Sequence, residues 1–197
     1  MAPDVHPDAR VASTANVVGN VRVGAGCYVD HGVLLASSGP PVELEEGVVV
    51  VANAVVRSVG GGPRPAFPVR IGPRTLVGPQ CALIGCSIGA DCYVATGVIV
   101  FQGATVGDAS RLGAGSIVHG RSELPTTSRV GMRCMAIPRE GGTLVTSDVD
   151  EARAALGEAD FFGEAFGVVE PDQQALHVES IARVRDEMRA WQDEPVQ

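Results

Sequence analysis

The stretch IGPRTLVGPQCALIGCSIGADCYV, residues 71–94, decides the fold of this chain. An aliphatic residue returns along it every six residues, with one interval of five, at Ile71, Val77, Leu83, Ile88 and Val94. A period of six is not helical, because at 3.6 residues per turn the aliphatic residues would rotate around a helix instead of marking one face. The pattern therefore predicts short strands separated by turns.

The same repeat extends in both directions and organises most of the chain. Its aliphatic positions are Val5, Val11, Val17, Val23, Val29, Leu35, Leu44, Val50, Val56, Ile71, Val77, Leu83, Ile88, Val94, Val100, Val106, Leu112, Val118, Leu124 and Val130. Extra residues interrupt it near 39–43, a Gly/Pro-rich stretch interrupts it at 60–68, and the unit 83–87 is one residue short. Such units bury their apolar faces by stacking on one another, so the sequence predicts an elongated repeat domain.

Composition limits the possible functions. The net charge is −8, but residues 1–147 hold ten acidic and eleven basic residues, whereas 148–197 hold thirteen and four. The repeat region is thus nearly neutral and the tail is acidic, which argues against a nucleic-acid partner. No apolar run reaches the length of a membrane span, and the N-terminus lacks an apolar signal core. We therefore expect a cytoplasmic protein with no membrane partner.

Cysteines and the C-terminal segment complete the organisation. Four of the five cysteines occupy the fifth place of a repeat unit, where other units carry Ala, Val or Ser. This position predicts packed thiols rather than metal ligands. Cys86 falls outside that place.

Residues 149–159 and about 171–192 have helical patterns. We predict a β domain at 1–140 and a helical C-terminal extension at 141–197, with the helices packed along the repeat domain.

The repeat resembles the hexapeptide repeat of left-handed parallel β-helices. Its units carry an aliphatic first place, often a glycine second and a small residue fifth, as in VGAGCY at 23–28. The resemblance implies an all-β, left-handed parallel β-helix in which three units form one triangular coil, giving about seven coils.

Within that superfamily, the chain resembles gamma-class carbonic anhydrases. VHPDA at 5–9 is similar to the opening of that family, LIGCSIGADC at 83–92 is similar to its most characteristic stretch, and the insertion after Arg57 falls where the family has a loop. The family is trimeric and binds zinc with three histidines, two from one subunit and one from its neighbour. The resemblance therefore implies a homotrimer with a site at the cleft between subunits.

The zinc ligands of the family are missing from this sequence. Aligning the repeats places them at Arg57, Pro79 and Ile84. Proline and isoleucine have no donor atom, and a guanidinium repels a divalent cation. The supporting Arg-Gly-Asp triplet of the family corresponds to 36–38, here Ala-Ser-Ser. We therefore predict a zinc-free protein without carbonic anhydrase activity and with no cofactor of its own.

Counting the units by threes identifies the residues that replace the zinc site. Ala36, Arg57, Ile84, Phe101 and His119 form one column on successive coils (the Arg57 column). His31, Ala52, Pro79 and Thr96 form a second (the His31 column). In a trimer like that of the family, the two columns face each other across subunits.

We predict His31 and Arg57 as candidate catalytic residues of this cleft. Arg57 can bind a carboxylate, phosphate or bicarbonate in a bidentate manner, and His31 can act as acid or base near neutral pH. The candidate substrate-binding residues are Ser37, Ser38, Gln80, Thr96, Phe101 and Gln102. His119 lies two coils beyond Ile84 and is expected outside the site. Structural alternatives remain open: Arg57 could pair with an acidic residue, and His31 could be a satisfied surface histidine.

Two functions fit these residues. The first is a metal-independent, transferase-like enzyme acting on an anionic small molecule or an acyl thioester, with coenzyme A as a possible co-substrate carrier. The second is a non-catalytic binding or assembly subunit of the same fold.

Overall fold

A computed structural model describes residues 2–37, 39–62, 64–157 and 173–192. The described residues form two compact units, Met1–Leu156 and Gly157–Gln197. The first unit contains every strand and a short helix, and the second contains a longer helix. No helix in these ranges is long and apolar enough to cross a lipid bilayer.

Three parallel sheets build the first unit. Sheet A contains β1 Asp4–Val5, β4 Val21–Val23, β7 Val42–Leu44, β12 Val69–Ile71, β15 Ser87–Ile88, β18 Thr105–Val106 and β21 Glu123–Leu124. Sheet B contains β2 Arg10–Val11, β5 Tyr28–Val29, β8 Val49–Val50, β13 Leu76–Val77, β16 Tyr93–Val94, β19 Arg111–Leu112 and β22 Arg129–Val130. Sheet C contains β3 Asn16–Val18, β6 Leu34–Ala36, β9 Val55–Arg57, β14 Ala82–Ile84, β17 Ile99–Val100, β20 Ile117–Val118, β23 Met135–Arg139 and the antiparallel β24 Gly142–Thr146.

Because consecutive strands belong to different sheets, the chain winds through A, B and C once per coil. Each strand pairs in parallel with the strand of the same sheet in the preceding coil, as in Ile71↔Ile88 and Leu83↔Val100. The predicted fold class is confirmed: the chain is a left-handed parallel β-helix of about seven coils.

The aliphatic repeat positions form the core. From Val23 to Val130 they point inward and are buried, and they stack on the equivalent residues of the adjacent coils. Small residues at the corners complete this core. The scarcity of aromatic residues follows from this geometry, because a triangular coil of short strands leaves interior space only for aliphatic side chains.

Two segments depart from the coil pattern. The Gly/Pro-rich stretch forms an antiparallel hairpin of β10 Val59–Gly61 and β11 Arg64–Phe67, inserted between β9 and β12. At the other end, β24 begins at Gly142 after a two-residue turn and pairs with β23, and helix α1, Val149–Leu156, lies against both strands.

The helices confirm the patterns of the C-terminal sequence. Helix α1 begins after Asp148, whose Oδ1 accepts hydrogen bonds from the backbone N–H groups of Asp150 and Glu151, an N-cap that satisfies two otherwise unbonded donors. Helix α2 spans Gln173–Gln192 in the second unit. On α2, Val178 and Ile181 are exposed. The sequence predicts an apolar stripe on this helix at 176, 181, 184, 188 and 191; Ile181 and Val184 are exposed, and the side chains of 176, 188 and 191 lie outside the described set.

Candidate functional site

The Arg57 column lies where sheet C turns toward sheet A. Ala36 pairs in register with Arg57, and Arg57 pairs with Ile84. Phe101 and His119 follow β17 and β20 at the same level of their coils, since the Phe101 N–H donates to Val118 O and the His119 N–H to Ala136 O. The column predicted from the sequence is therefore continuous along the surface.

Arg57 is half-buried within this column, and its Nε atom is inaccessible to solvent. Its two neighbours along the sheet, Ala36 and Ile84, are apolar. A guanidinium in such surroundings interacts more strongly with an anion than one in open water, because the local dielectric constant is lower.

His119 belongs to the same strip of surface. Its ring lies 6.0 Å from that of Phe101, centroid to centroid, with the planes tilted by 44°. Its Nδ1 atom is buried and has no hydrogen-bond partner among the described residues. Since a buried polar atom without a partner is costly, His119 is a further candidate for this surface that the sequence argument had placed outside the site.

The His31 column lies at the corner between sheets B and C. The Asn53 N–H donates to His31 O, the Gln80 N–H to Ala52 O and the Gly97 N–H to Pro79 O, each at 3.0–3.1 Å. These bonds stack the turns directly on one another, which places His31, Ala52 and Pro79 in line.

The His31 side chain is exposed and oriented by its neighbours. Its Nδ1 lies 2.7 Å from Thr14 Oγ1, and Asp30 accepts the His31 backbone N–H at 2.7 Å. Thr14 Oγ1 also accepts the Gly32 N–H. Nε2 bonds to no described residue and is the ring nitrogen available to a ligand.

Within one chain the two columns do not meet. His31 precedes the sheet C strand of its coil, whereas Arg57 ends the sheet C strand of the next coil, so they stand at opposite ends of the same sheet. A site that contains both residues requires a second subunit.

The other predicted residues occupy different surroundings. Ser37 is buried, and its Oγ donates to Pro40 O and accepts the Gly39 N–H, so it shapes the loop after β6. Gln80 and Thr96 are exposed in the turns of the His31 column, and Gln102 is half-buried after Phe101. Ser38 lies outside the described residues.

The residues at the zinc positions of the resembled family do not fit a metal ion. Arg57 and Ile84 are adjacent in register in the Arg57 column, and Pro79 lies in the His31 column. They supply a cation and two side chains without donor atoms. The described residues contain no cluster of three or more His, Cys, Asp or Glu side chains that could hold one.

Sequence reasoning missed the outer face of sheet C. From the second coil onward its outward positions are apolar and in register along the helix, namely Leu34, Val55, Ala82, Ile99, Ile117 and Met135, all of them half-buried, whereas Asn16 at the start of the ladder is polar. On sheet A the equivalent ladder is polar, running from Asp4 and Arg22 to Thr105 and Glu123. The signal was present in the sequence, because from Leu35 onward the residue before every third repeat position is apolar.

A groove of about 510 Å³ follows the corner between sheets A and B. Stacked glycines at 72, 89 and 107 line it, with Ser87 and Thr105 on sheet A. At one end Arg70 Nε donates to Glu45 at 2.7 Å. None of the predicted site residues lines this groove.

The corner cysteines have a structural role. The thiols of Cys27, Cys81 and Cys92 donate to backbone carbonyls of the following coil, as Thr75 Oγ1 does to Gly89 O at 2.7 Å. Burial raises the pKa of all three thiols. The prediction that Cys86 falls outside the fifth place of the repeat is wrong. In its shortened coil Cys86 stands directly before β15, as Ala104 and Ser122 stand directly before β18 and β21 in later coils. It therefore occupies the fifth place as well.

The three sheets and the six-residue repeat define the fold of this chain as a parallel β-helix built from hexapeptide units. A family model described as the hexapeptide repeat of succinyl-transferase matches residues 68–102. Among curated proteins, mitochondrial gamma carbonic anhydrase 2 of Arabidopsis thaliana is 26% identical over 129 residues, covering 64% of this chain and 45% of that protein. The carnitine operon protein CaiE of Escherichia coli is 28% identical over 126 residues, 60% of this chain and 58% of that protein.

The chain spans about half the length of the curated relatives it matches. Among solved structures, a putative acetyltransferase of Bacillus cereus superposes with a TM-score of 0.54 at 15% identity, covering 95% of this chain and 92% of that chain. A hexapeptide transferase family protein of Anaplasma phagocytophilum superposes with a TM-score of 0.50 at 18% identity, covering 98% and 93%. These structural matches establish the fold.

Proposed function

We propose that this chain forms a homotrimer through the outer face of sheet C and binds an anionic small molecule or an acyl thioester at the cleft between subunits, without zinc and without carbonic anhydrase activity. The observation that carries the proposal is the Arg57 column, which places a half-buried guanidinium beside an apolar surface of Ile84 and Phe101. This combination suits a ligand with one anionic and one apolar part.

Trimerisation is supported by the aliphatic ladder on sheet C. Sheet C carries a continuous apolar row, and the faces formed by sheets A and B are more polar. The apolar face is therefore the one expected to be buried in an assembly. A three-fold axis beside sheet C also brings the His31 column of one subunit opposite the Arg57 column of the next. The resemblance to the gamma-class carbonic anhydrases, a trimeric family, supports the proposal of a trimer.

The roles of the two candidate residues follow from their chemistry. Arg57 anchors the anionic group of the ligand. His31 acts as acid or base through Nε2, because Thr14 holds Nδ1. In acyl transfer, His31 would take a proton from the acceptor as it attacks the thioester carbonyl and return that proton to the departing thiolate.

The first test is ligand binding to an Arg57 series. Native mass spectrometry of the freshly purified protein should detect a trimer with a retained small anion, and acetyl-CoA serves as the defined probe for titration. We expect Arg57→Ala to weaken binding by about tenfold or more, as loss of a charge-assisted hydrogen bond implies, and Arg57→Lys to weaken it less. Thr105→Ala on sheet A is the matched control.

Unchanged affinity for the retained anion and for acetyl-CoA in the Arg57→Ala trimer would contradict the proposed site. A stoichiometric protein partner, with no retained small molecule, would instead support the assembly-subunit function.

A further inference from the structure

His119 ends the Arg57 column. From Arg57 to His119, each residue of the column directly follows a fully buried core residue, so its side chain points away from the core. The core residues before them pair in register from β9 through β14 and β17 to β20. Because paired strands lie about 4.8 Å apart, Arg57 and His119 are separated by roughly 14 Å along the surface.

The His119 ring has one nitrogen inside the protein and one at its surface. Nδ1 is buried, and no described residue forms a hydrogen bond with it. A buried N–H without an acceptor is costly, so the proton of the imidazole ring belongs on Nε2. Nε2 is not buried and also bonds to no described residue. His119 therefore offers a hydrogen-bond donor at the surface, and its acceptor has to be a ligand or water.

The surface between Arg57 and His119 is apolar. Ile84 and Phe101 occupy the two intermediate positions of the column, and both are half-buried. Phe67 of the hairpin extends this surface, because its Cε1 atom lies 3.3 Å from where a Cβ on Gly103 would stand, two residues after Phe101. The column thus presents a cation, two apolar side chains and a neutral donor, in that order.

We propose that His119 determines the specificity of this site, and that the column binds a linear amphiphilic acid. The anionic group lies at Arg57, an aliphatic chain crosses Ile84 and Phe101, and a hydroxyl at the far end accepts the Nε2–H of His119. This inference rests on the proposed function, because it takes Arg57 as the anchor of the anion.

The His119 donor favours the hydroxy acid over the plain fatty acid of the same length. A methyl end would remove water from Nε2–H and leave that donor without an acceptor, whereas a hydroxyl replaces the lost water. The length of the column adds a second criterion. The chain of ω-hydroxydecanoate spans a distance of this order, and that of ω-hydroxyhexanoate is too short to reach both Arg57 and His119.

The test is isothermal titration calorimetry with two probes of equal chain length, decanoate and ω-hydroxydecanoate. The wild type should bind the hydroxy acid about fivefold more tightly, as one net hydrogen bond implies. His119→Phe, which keeps an aromatic ring beside Phe101, should abolish this preference. His6→Phe, at an exposed histidine of the first coil, is the matched control and should leave the preference unchanged.

A measurement on the wild type alone tests the length criterion. Hexanoate and ω-hydroxyhexanoate should bind with equal affinity, because the shorter chain does not reach His119. A preference for the hydroxy acid that is equal at both chain lengths would overturn the inference, whether or not His119→Phe folds.

Arg57→Ala separates this inference from the proposed function. A preference for ω-hydroxydecanoate that survives in folded His119→Phe would overturn the inference alone. The same holds if decanoate and ω-hydroxydecanoate fail to bind while acetyl-CoA still binds through Arg57. Binding of decanoate and acetyl-CoA that is unaffected by Arg57→Ala, or no binding of either probe, would overturn both.

Discussion

At the residue scale, small side chains occupy the same corner position in successive coils, and several of them form a hydrogen bond to the next coil. Thr75, Cys81 and Cys92 each stand at a corner and donate a hydrogen bond to a carbonyl of the next coil. The sequence pattern predicted that this place needs a small side chain. It did not predict the hydrogen bond, because Ala and Val fill the same place in other coils and give no donor.

Cys86 provides a prediction on pH dependence. Burial raises the pKa of its thiol from 9.0 to about 12. In the unfolded chain the thiol ionises near its ordinary value, whereas in the folded chain it stays protonated, so its contribution to stability is complete below pH 9 and is lost as the pH rises toward 12. The free energy of unfolding should fall by up to about 1.4 kcal/mol per pH unit from this thiol.

Urea denaturation at a series of alkaline pH values measures this effect. Cys86→Ala should show a shallower decline with pH than the wild type, since the other ionising groups are shared. Parallel declines in the two proteins would show that Cys86 is not the source.

At the element scale, the hairpin of β10 and β11 packs against two glycines, Gly85 and Gly103, at the corner between sheets C and A. A Cβ on Gly85 would lie 2.6 Å from Phe67 Cβ, and a Cβ on Gly103 would lie 3.3 Å from Phe67 Cε1. Both glycines adopt positive φ, 53° and 75°. The hairpin thus lies close to the coils that carry Ile84 and Phe101.

Gly85→Ala should destabilise the protein more than Gly97→Ala. Gly97 has a similar φ of 68°, but nothing lies within 4 Å of its added Cβ. The control therefore carries only the backbone strain, about 1 kcal/mol, whereas Gly85→Ala also displaces Phe67 and should cost about 2–3 kcal/mol. Chemical denaturation gives the two values, and equal losses would contradict the packing of the hairpin described above.

The elements also show what a sequence can and cannot predict. The period and spacing of the repeat were sufficient to predict the coils and the two columns. The reason is that backbone hydrogen bonds stack each six-residue unit on the unit three before it. A site that joins His31 and Arg57 could not be derived in this way, because the two residues stand at opposite ends of sheet C and such a site needs a second subunit. The hairpin was predicted only as an insertion. Its glycines and prolines indicate that the chain leaves the coil, but they do not predict that the inserted residues pair as two antiparallel strands.

At the scale of the whole molecule, the three faces of the β-helix differ in character, and only sheet C has a continuous aliphatic ladder. Ile99→Asp, in the middle of that ladder, should dissociate the proposed trimer, because it places a charge in the apolar interface proposed for sheet C. Thr105→Asp, at the same height on sheet A, should leave the trimer intact. Sedimentation analysis distinguishes the two outcomes, and a trimer that tolerates Ile99→Asp would exclude sheet C as the interface.

The most direct test of the central claim, that the two columns face each other across subunits, is to restore a metal site. Zinc content per trimer should be measured by native mass spectrometry for the triple variant Arg57→His, Pro79→His and Ile84→His. If the columns face each other, this variant should bind three zinc ions per trimer, the double variant that keeps Pro79 should bind fewer or more weakly held ions, and the wild type should bind none. A folded, trimeric triple variant that binds no zinc would show that the columns do not face each other.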